Sequence, residues 1–458
     1  MNVEKPVLHE PVKMQWGSDY LAEMVRRLDL RYLSINPGAS LRGLHDSLVN
    51  YLGNEDPQML LCLHEDHAVS IAHGYAKVTG KPMGVVVHSN VGLMHASMGI
   101  FNAWCDRVPM VIIGATGPVD AAERRPWIDW IHTSRDQGSL VRNFIKWDDQ
   151  PASLAAAAES MIRATRMANT APRGPVYLCF DVSLQEAPLD ASTVLPAIED
   201  YAAPASSYPD PNSVRQVAEL LVQAKRPLIL AGRVARSIES WNRRIQLAER
   251  VNATVLTDLK QPAAFPTDHP LHPIPPAFFM GDQGISALQE ADVIVSLDWV
   301  DLGGTLKVAS QRKPIDARVI QCSPDQYAHN GWSMDYQALP RVDMHLLCEP
   351  EAIVEALLQL DDTEGIFDAR ASSTLINNAD PTVTAPAGES KLTLNVLATV
   401  LRNATEHLEV SVLRTPLGWP GKAWHFRHPL DFLGKDGGAG LGSGPGMVIP
   451  PQNRSNRK

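Results

Sequence analysis

The sequence predicts an α/β protein of doubly wound parallel-sheet units arranged in series. Three observations carry that prediction. Short apolar runs alternate with longer stretches of helical periodicity, which is the pattern of βαβ units around a parallel sheet. Two segments, 202–211 (AAPASSYPDP) and 361–390, interrupt it with clustered Pro, Ser, Ala, Asn, Asp and Thr, and read as linkers. The chain has 458 residues, more than a single domain of ordinary size.

The elements follow in order. In the first unit, 1–190, strands are expected at 32–35, 59–63, 83–87, 110–114 and 176–180, each a short apolar run. Helical patterns lie at 66–78 and 151–168, the former with Ala68, Ala72 and Ala76 on one face. The second unit, 208–361, offers strands at 227–231, 254–257, 293–297 and 318–321, with a proline-dense loop at 260–279. A long proline-rich loop inside a compact unit usually covers or contacts something. The third segment, 391–458, reads as a helix at 392–401, a strand at 409–413 and then GKDGGAGLGSGPG at 434–446, the densest glycine stretch in the chain.

Composition excludes several function classes. Lys plus Arg is 41 and Asp plus Glu is 51, a net charge of −10, without the basic surplus that nucleic-acid binding needs. The five cysteines form no C-x-x-C pair and fit buried thiols in a reducing compartment. The first twenty residues hold no apolar signal-like core, and no run approaches the ~18 apolar residues of a membrane span, so a cytoplasmic, non-membrane protein is expected.

Four stretches carry chemistry. In LLCLHEDHAVSIAHGYAKVTG, 60–80, an apolar strand runs into His64-Glu65-Asp66-His67 and then a small-residue helix. Glu65 therefore stands where a strand ends and a helix begins, the edge at which open sheets bind ligands. Two readings stay open from these residues alone: a carboxylate complementing the helix dipole, or a half-buried acid that exchanges a proton near neutral pH. His64 and His67 are three apart, unlike the i, i+4 pair of HExxH, so no metal site is assigned. In MGVVVHSNVG, 83–92, a buried-type strand ends in His88-Ser89-Asn90, where His88 is either an acid/base or a satisfied turn histidine. Asn36-Pro37-Gly38-Ala39-Ser40 follows the first strand, with Gly38 suited to a tight turn and Ser40 to capping the next helix. The glycine stretch contains neither G-x-G-x-x-G nor a P-loop, which argues against a plain nucleotide-binding protein; it is a cofactor-approaching loop or a flexible one.

Taken in order, these pieces resemble the thiamine-diphosphate enzymes of the acetolactate synthase, benzoylformate decarboxylase and pyruvate decarboxylase group. The residues that carry the resemblance are NPGAS at 36–40, HEDHAVSIAHGYAKVTGKP at 64–82, HSNVG at 88–92, NAWCDRVPMVIIGA at 102–115 and PRGPVYLCF at 172–180. TDLKQPAAFPTDHPLH at 257–272 and WPGKAWHFRHPLDFLGKDGGAGLGSGPG at 419–446 extend it.

The resemblance implies a pyrimidine-binding domain at 1–190, a central domain at 208–361 and an incomplete diphosphate-binding domain at 391–458. It implies a 2-oxo acid substrate, decarboxylation or carboligation, and a homodimer or homotetramer. Glu65 matches the family glutamate that exchanges a proton with the aminopyrimidine ring, and His88 matches a histidine of the decarboxylase branch. Pro37, Gly38, Ser89, Asn90, Gly418, Gly438, Gly440, Leu441 and Gly442 match cofactor-binding positions. Ala39 stands where benzoylformate decarboxylase has a serine, which weakens the case for an aryl substrate. FAD in the central domain is a further expectation. The family's Gly-Asp-Gly, whose aspartate binds Mg²⁺ together with a later asparagine, does not occur, so no metal ligand is assigned. A truncated member that binds the cofactor weakly is therefore expected; the alternative is a non-catalytic dimerising or regulatory subunit.

Overall fold

The computed structural model describes residues 4–6, 12–190, 192–325, 339–368 and 391–449. The central strands form because their residues are mostly apolar on both faces, as a sheet covered by helices on both sides requires. The first sheet contains β1 (Tyr32–Ile35), β2 (Gln58–Leu61), β3 (Met83–Val87), β4 (Met110–Thr116), β5 (Asp148–Asp149) and β6 (Pro175–Asp181). Its order is β2-β1-β3-β4-β6-β5, and every pair is parallel. Helices of this unit are α1 (Gly17–Arg27), α2 (Arg42–Asp46), α3 (Glu65–Thr79), α4 (Ser89–Cys105), α5 (Ile128–Ile131), α6 (Leu154–Asn169) and α7 (Val182–Glu186).

Strand alternation divides the core in two. Val86, Val111, Ile113, Leu178 and Phe180 pack with Leu21, Met24 and Val25 of α1 and Met161 of α6. Val85, Val87, Met110, Ile112 and Tyr177 face the other way, onto Val69 and Ala72 of α3 and Leu93 and Ile100 of α4. Each such fully buried aliphatic contributes roughly 1.5–3 kcal/mol of transfer free energy. Gly80, at φ +71, ends α3 in the left-handed conformation.

The second sheet contains β7 (Pro227–Ala231), β8 (Thr254–Leu256), β9 (Val293–Leu297), β10 (Arg318–Cys322) and β11 (Met344–Leu346), in the order β11-β10-β9-β7-β8, again all parallel. Helices α8 (Pro211–Gln223), α9 (Ile238–Val251) and α12 (Pro350–Glu364) cover one face; α10 (Asp282–Glu290) and α11 (Leu302–Ser310) cover the other. Asp210 caps α8 and Ser237 caps α9 through their side chains. Parallel-sheet α/β units in series are thus what the chain forms.

The third segment holds α13 (Leu394–Thr405), capped by Thr393, and the short α14 (Gly444–Met447). The expected strand at 409–413 does not form. Val412 makes one isolated parallel bridge to Phe432, and the left-handed φ of +55 at Arg414 turns the chain away from a ladder. The segment instead buries Trp419, Trp424, Phe426 and Phe432 with Trp241, Leu259 and Phe278 of the second unit. The part of this segment at 450–458 lies outside the described residues.

Candidate active site

The strand order of the first sheet reverses between β1 and β3, because β1 leads outward to β2 while β3 leads to β4 on the other side. Loops leaving the carboxyl ends of two such strands diverge and open a crevice. Here those loops are 36–40 and 88–90. Gly38 has extended backbone at φ −159, so its requirement is space: a Cβ there would lie 2.2 Å from Cγ of His88. The loop can touch the His88 ring only as glycine.

Ser40 completes the contact. Its Oγ lies 2.8 Å from His88 Nδ1, and its backbone N–H donates to the same nitrogen at 3.4 Å. Nδ1 is therefore an acceptor, and the neutral ring carries its proton on Nε2. Burial pushes the His88 pKa down to about 4; nearby His132 lowers it further, and the Glu65 carboxylate opposes the shift. His88 is neutral at pH 7. Ser40 thus positions the histidine rather than capping a helix, as its sequence context had suggested.

Ser89 and Asn90 fix the opposite wall. Ser89 is held at φ +48, uncommon for a side-chain-bearing residue, at the turn from β3 into α4. Its Oγ donates to the carbonyl of His132 at 2.8 Å, and Asn90 Nδ2 donates to that of Ile131 at 3.2 Å. Both side chains hold the 131–132 main chain, and with it the His132 ring, whose centroid lies 4.5 Å from that of His88, edge to face. His132 carried no sequence signal, because its place depends on a loop 43 residues from Ser89.

Glu65 opens α3 and is only 5% exposed. His64 precedes it as N-cap, its Nδ1 accepting the amide hydrogen of Asp66 at 3.1 Å. Helix α4 comes so close that a Cβ on Gly92 would lie 3.0 Å from Glu65 Oε1. Oε2 is buried without a hydrogen bond; the nearest basic group is His95 Nδ1 at 3.4 Å. A buried carboxyl oxygen without a donor is costly, and a ligand bringing an N–H to it would relieve that cost.

Gly38, His88, Ser89 and Asn90 thus gather at the carboxyl ends of β1 and β3, with the Glu65 carboxylate near enough to act on the His88 ring, while Pro37 lies exposed beside Gly38. The later glycines do not join them. A Cβ on Gly438 would meet the Phe101 ring at 2.6 Å, and one on Gly440 would meet Met98 at 2.7 Å, so both are closed against α4. Asn102 ties the loop down, accepting the Gly440 amide hydrogen at 3.2 Å and donating to Ser443 Oγ at 3.4 Å. Asp436 is fully buried and ion-paired with Arg414 at 2.6 Å. Leu441 and Gly442 are exposed, and Gly418 occupies an exposed turn at φ +81 near Leu394.

Residues 15–140 match the family model described as the N-terminal TPP binding domain of thiamine pyrophosphate enzymes, and residues 214–357 match the model of their central domain. Benzoylformate decarboxylase of Pseudomonas aeruginosa is 27% identical over 255 residues, covering 54% of this chain and 45% of that protein. An acetolactate synthase large subunit of Lactococcus lactis is 26% identical over 367 residues, covering 77% and 58%. The chain spans about half the length of the curated relatives it matches. Among solved structures, benzoylformate decarboxylase from Polynucleobacter necessarius superposes with a TM-score of 0.76 at 22% identity, covering 95% of this chain and 76% of that one. A putative thiamin diphosphate-dependent enzyme from Mycobacterium smegmatis gives 0.74 at 22% identity, covering 95% and 79%; these likenesses speak for the fold. Two successive models of one enzyme family lie along two successive parallel-sheet units, and this chain belongs to the thiamine pyrophosphate enzyme family.

Proposed function

We propose that this chain presents Glu65 to the aminopyrimidine end of thiamine diphosphate and serves decarboxylation or carboligation of a 2-oxo acid. The observation that carries the reading is the buried Oε2 of Glu65, which no hydrogen bond satisfies. Thiamine diphosphate, when bound, supplies the electron sink for breaking the bond to the departing carboxylate. Glu65 takes or gives a proton at Oε2, the oxygen left without a hydrogen bond. His88, neutral at pH 7, hands the substrate a hydrogen bond from Nε2 rather than a charge. Ser40 keeps that tautomer, and Ser89 and Asn90 keep the crevice wall in place.

Self-association through the first unit belongs to the same proposal. Val91, Met94 and Met98 on α4, with Leu61, Leu63 and Leu441, are exposed apolar side chains, a surface that a second copy would cover. FAD is proposed for the second sheet's own reversal crevice, between β7 and β9. It opens into a cleft of about 760 Å³ lined in part by Lys77, Arg107, Arg233 and Arg236. No magnesium ligand is proposed: Asp436, the carboxylate inside the glycine run, pairs with Arg414. No helix among the described residues is long and apolar enough to cross a membrane. The five buried free thiols fit the reducing cytoplasm.

The glycine run packed on α4 favours a second reading, a dimerising or regulatory subunit that lends Glu65 to a partner. Calorimetric titration of the full chain with thiamine diphosphate and Mg²⁺ tests the proposal. Binding weakened at least tenfold in Glu65→Gln is expected; no binding, or equal binding by the variant, overturns it.

A further inference from the structure

We propose that His64, Glu65 and His95 form a binding site for a divalent transition metal of the zinc class. One ligand atom from each lies within 4.8 Å of the other two. The sequence hides the set: His64 and His67 have the wrong spacing, and the second histidine instead comes from α4. Its ring stacks on that of His64 with centroids 4.9 Å apart and planes 7° apart.

Three features point to a metal rather than to a chance meeting of polar groups. His95 Nδ1 and Glu65 Oε2 stand 3.4 Å apart and make no hydrogen bond. Two ligand atoms about 2.1 Å from a tetrahedral metal are separated by about 3.4 Å along the edge of the tetrahedron. Second, Glu65 is buried and its free oxygen faces the exposed His95, so the site has a fixed carboxylate and an open side for entry. Third, two imidazoles and one carboxylate suit zinc and its neighbours, whereas Mg²⁺ prefers an all-oxygen shell. Three protein ligands leave a fourth position for water.

His64 must change its bonding to take part. Its Nδ1 now accepts the Asp66 amide hydrogen, which leaves the proton on Nε2. A metal on either nitrogen removes that acceptor, so metal uptake and capping of α3 by His64 exclude each other. Glu65 and Asp66, both in the first turn of α3, supply negative charge against the cation.

Zn²⁺ and the aminopyrimidine would claim the same Glu65 Oε2 and so exclude each other, and the metal test is therefore run on the chain free of thiamine diphosphate. The untagged full chain, stripped with chelator, is titrated with Zn²⁺ in a calorimeter and with Co²⁺ in a spectrophotometer. One Zn²⁺ per chain is expected, together with the visible bands of tetrahedral Co²⁺. His95→Ala, at a position 62% exposed and therefore harmless to the core, is expected to weaken Zn²⁺ binding at least tenfold and abolish the bands. No uptake by the wild-type chain, or wild-type affinity in His95→Ala, overturns the site.

Discussion

Lys77→Met tests how the glycine-rich segment is fastened to the first unit. Lys77, on α3, is 1% exposed. Its ammonium pairs with the buried Asp106 carboxylate and donates to the Leu433 carbonyl at 2.8 Å. His73 Nε2 approaches the same carboxylate at 2.8 Å. Burial pushes the Asp106 carboxyl up, but Lys77 and His73 more than offset this and hold it below the usual range. Methionine keeps the volume and removes the cation, leaving the buried carboxylate with a largely neutral histidine and the longer-range charge of Arg236. Breaking one side of a buried ion pair destabilises by about 3–5 kcal/mol. The loss should concentrate where Leu433 docks, so hydrogen exchange at the Leu433 amide, which donates to Val412 at 2.8 Å, should speed up. Two further results follow. Lys77→Met/Asp106→Asn should lose less than Lys77→Met, because no uncompensated charge remains. The Lys77→Met defect should also shrink as pH falls from 8 toward 6. Burial lowers the His73 pKa and Lys77 lowers it further, while Asp106 raises it; without Lys77 the ring protonates more readily and replaces the missing charge. A urea unfolding series at both pH values measures this. A loss under about 1 kcal/mol, with unchanged exchange at Leu433, refutes the account.

Three other perturbations separate the remaining claims. Gly38→Ala keeps an allowed backbone but places its methyl 2.2 Å from Cγ of His88, so the ring must leave Ser40. The NMR-titrated pKa of His88 should then move from about 4 back toward 6.5, and an unmoved titration shows that the loop does not hold the ring. His272 is buried, with Nε2 2.9 Å from Thr257 Oγ1, and burial pushes its pKa from 6.5 to about 4. The neutral form is the one the fold accepts. Its contribution is therefore complete above pH 6.5 and lost as pH falls through 4, on the order of 3 kcal/mol at ~1.36 per unit; His272→Gln should flatten that part of the stability profile relative to wild type. Gly74→Ala would set a methyl 2.1 Å from the Met447 carbonyl oxygen. Alanine is otherwise the better helix former by about 1 kcal/mol, so faster proteolysis within 444–449, with the rest of the first unit equally resistant, is the expected signature; equal cleavage rates speak against the packing of α14 on α3.

The strands legible in the sequence are those whose environment is uniform. Met83–Val87, Pro227–Ala231 and Val293–Leu297 fall where short apolar runs placed them, because a parallel strand covered on both faces favours apolar residues along its length, Ser296 being the buried polar exception. Of the four edge strands among the described residues, β2 and β8 were legible as short apolar runs, whereas the other two were not. Asp148–Asp149 joins the first sheet with two acidic residues, one of them held by Arg142, and Met344–Leu346 is only three residues long. Tertiary pairing decides such strands, not periodicity.

The crevice shows the same division. Glu65 and His88 could be found because each stands at a junction between strand and helix. Ser40, His132 and His95 could not, because each acts on a side chain brought near by the sheet order. Glycine is the sharpest case. It reports that a Cβ is unwelcome, but not what stands in the way. At Gly38 the obstacle is the His88 ring, at the mouth of the crevice; at Gly438 and Gly440 it is Phe101 and Met98 of α4, in the body of the fold. Between 437 and 440 the glycines make room for the chain's own side chains and backbone, and that neighbour could not be read from glycine content.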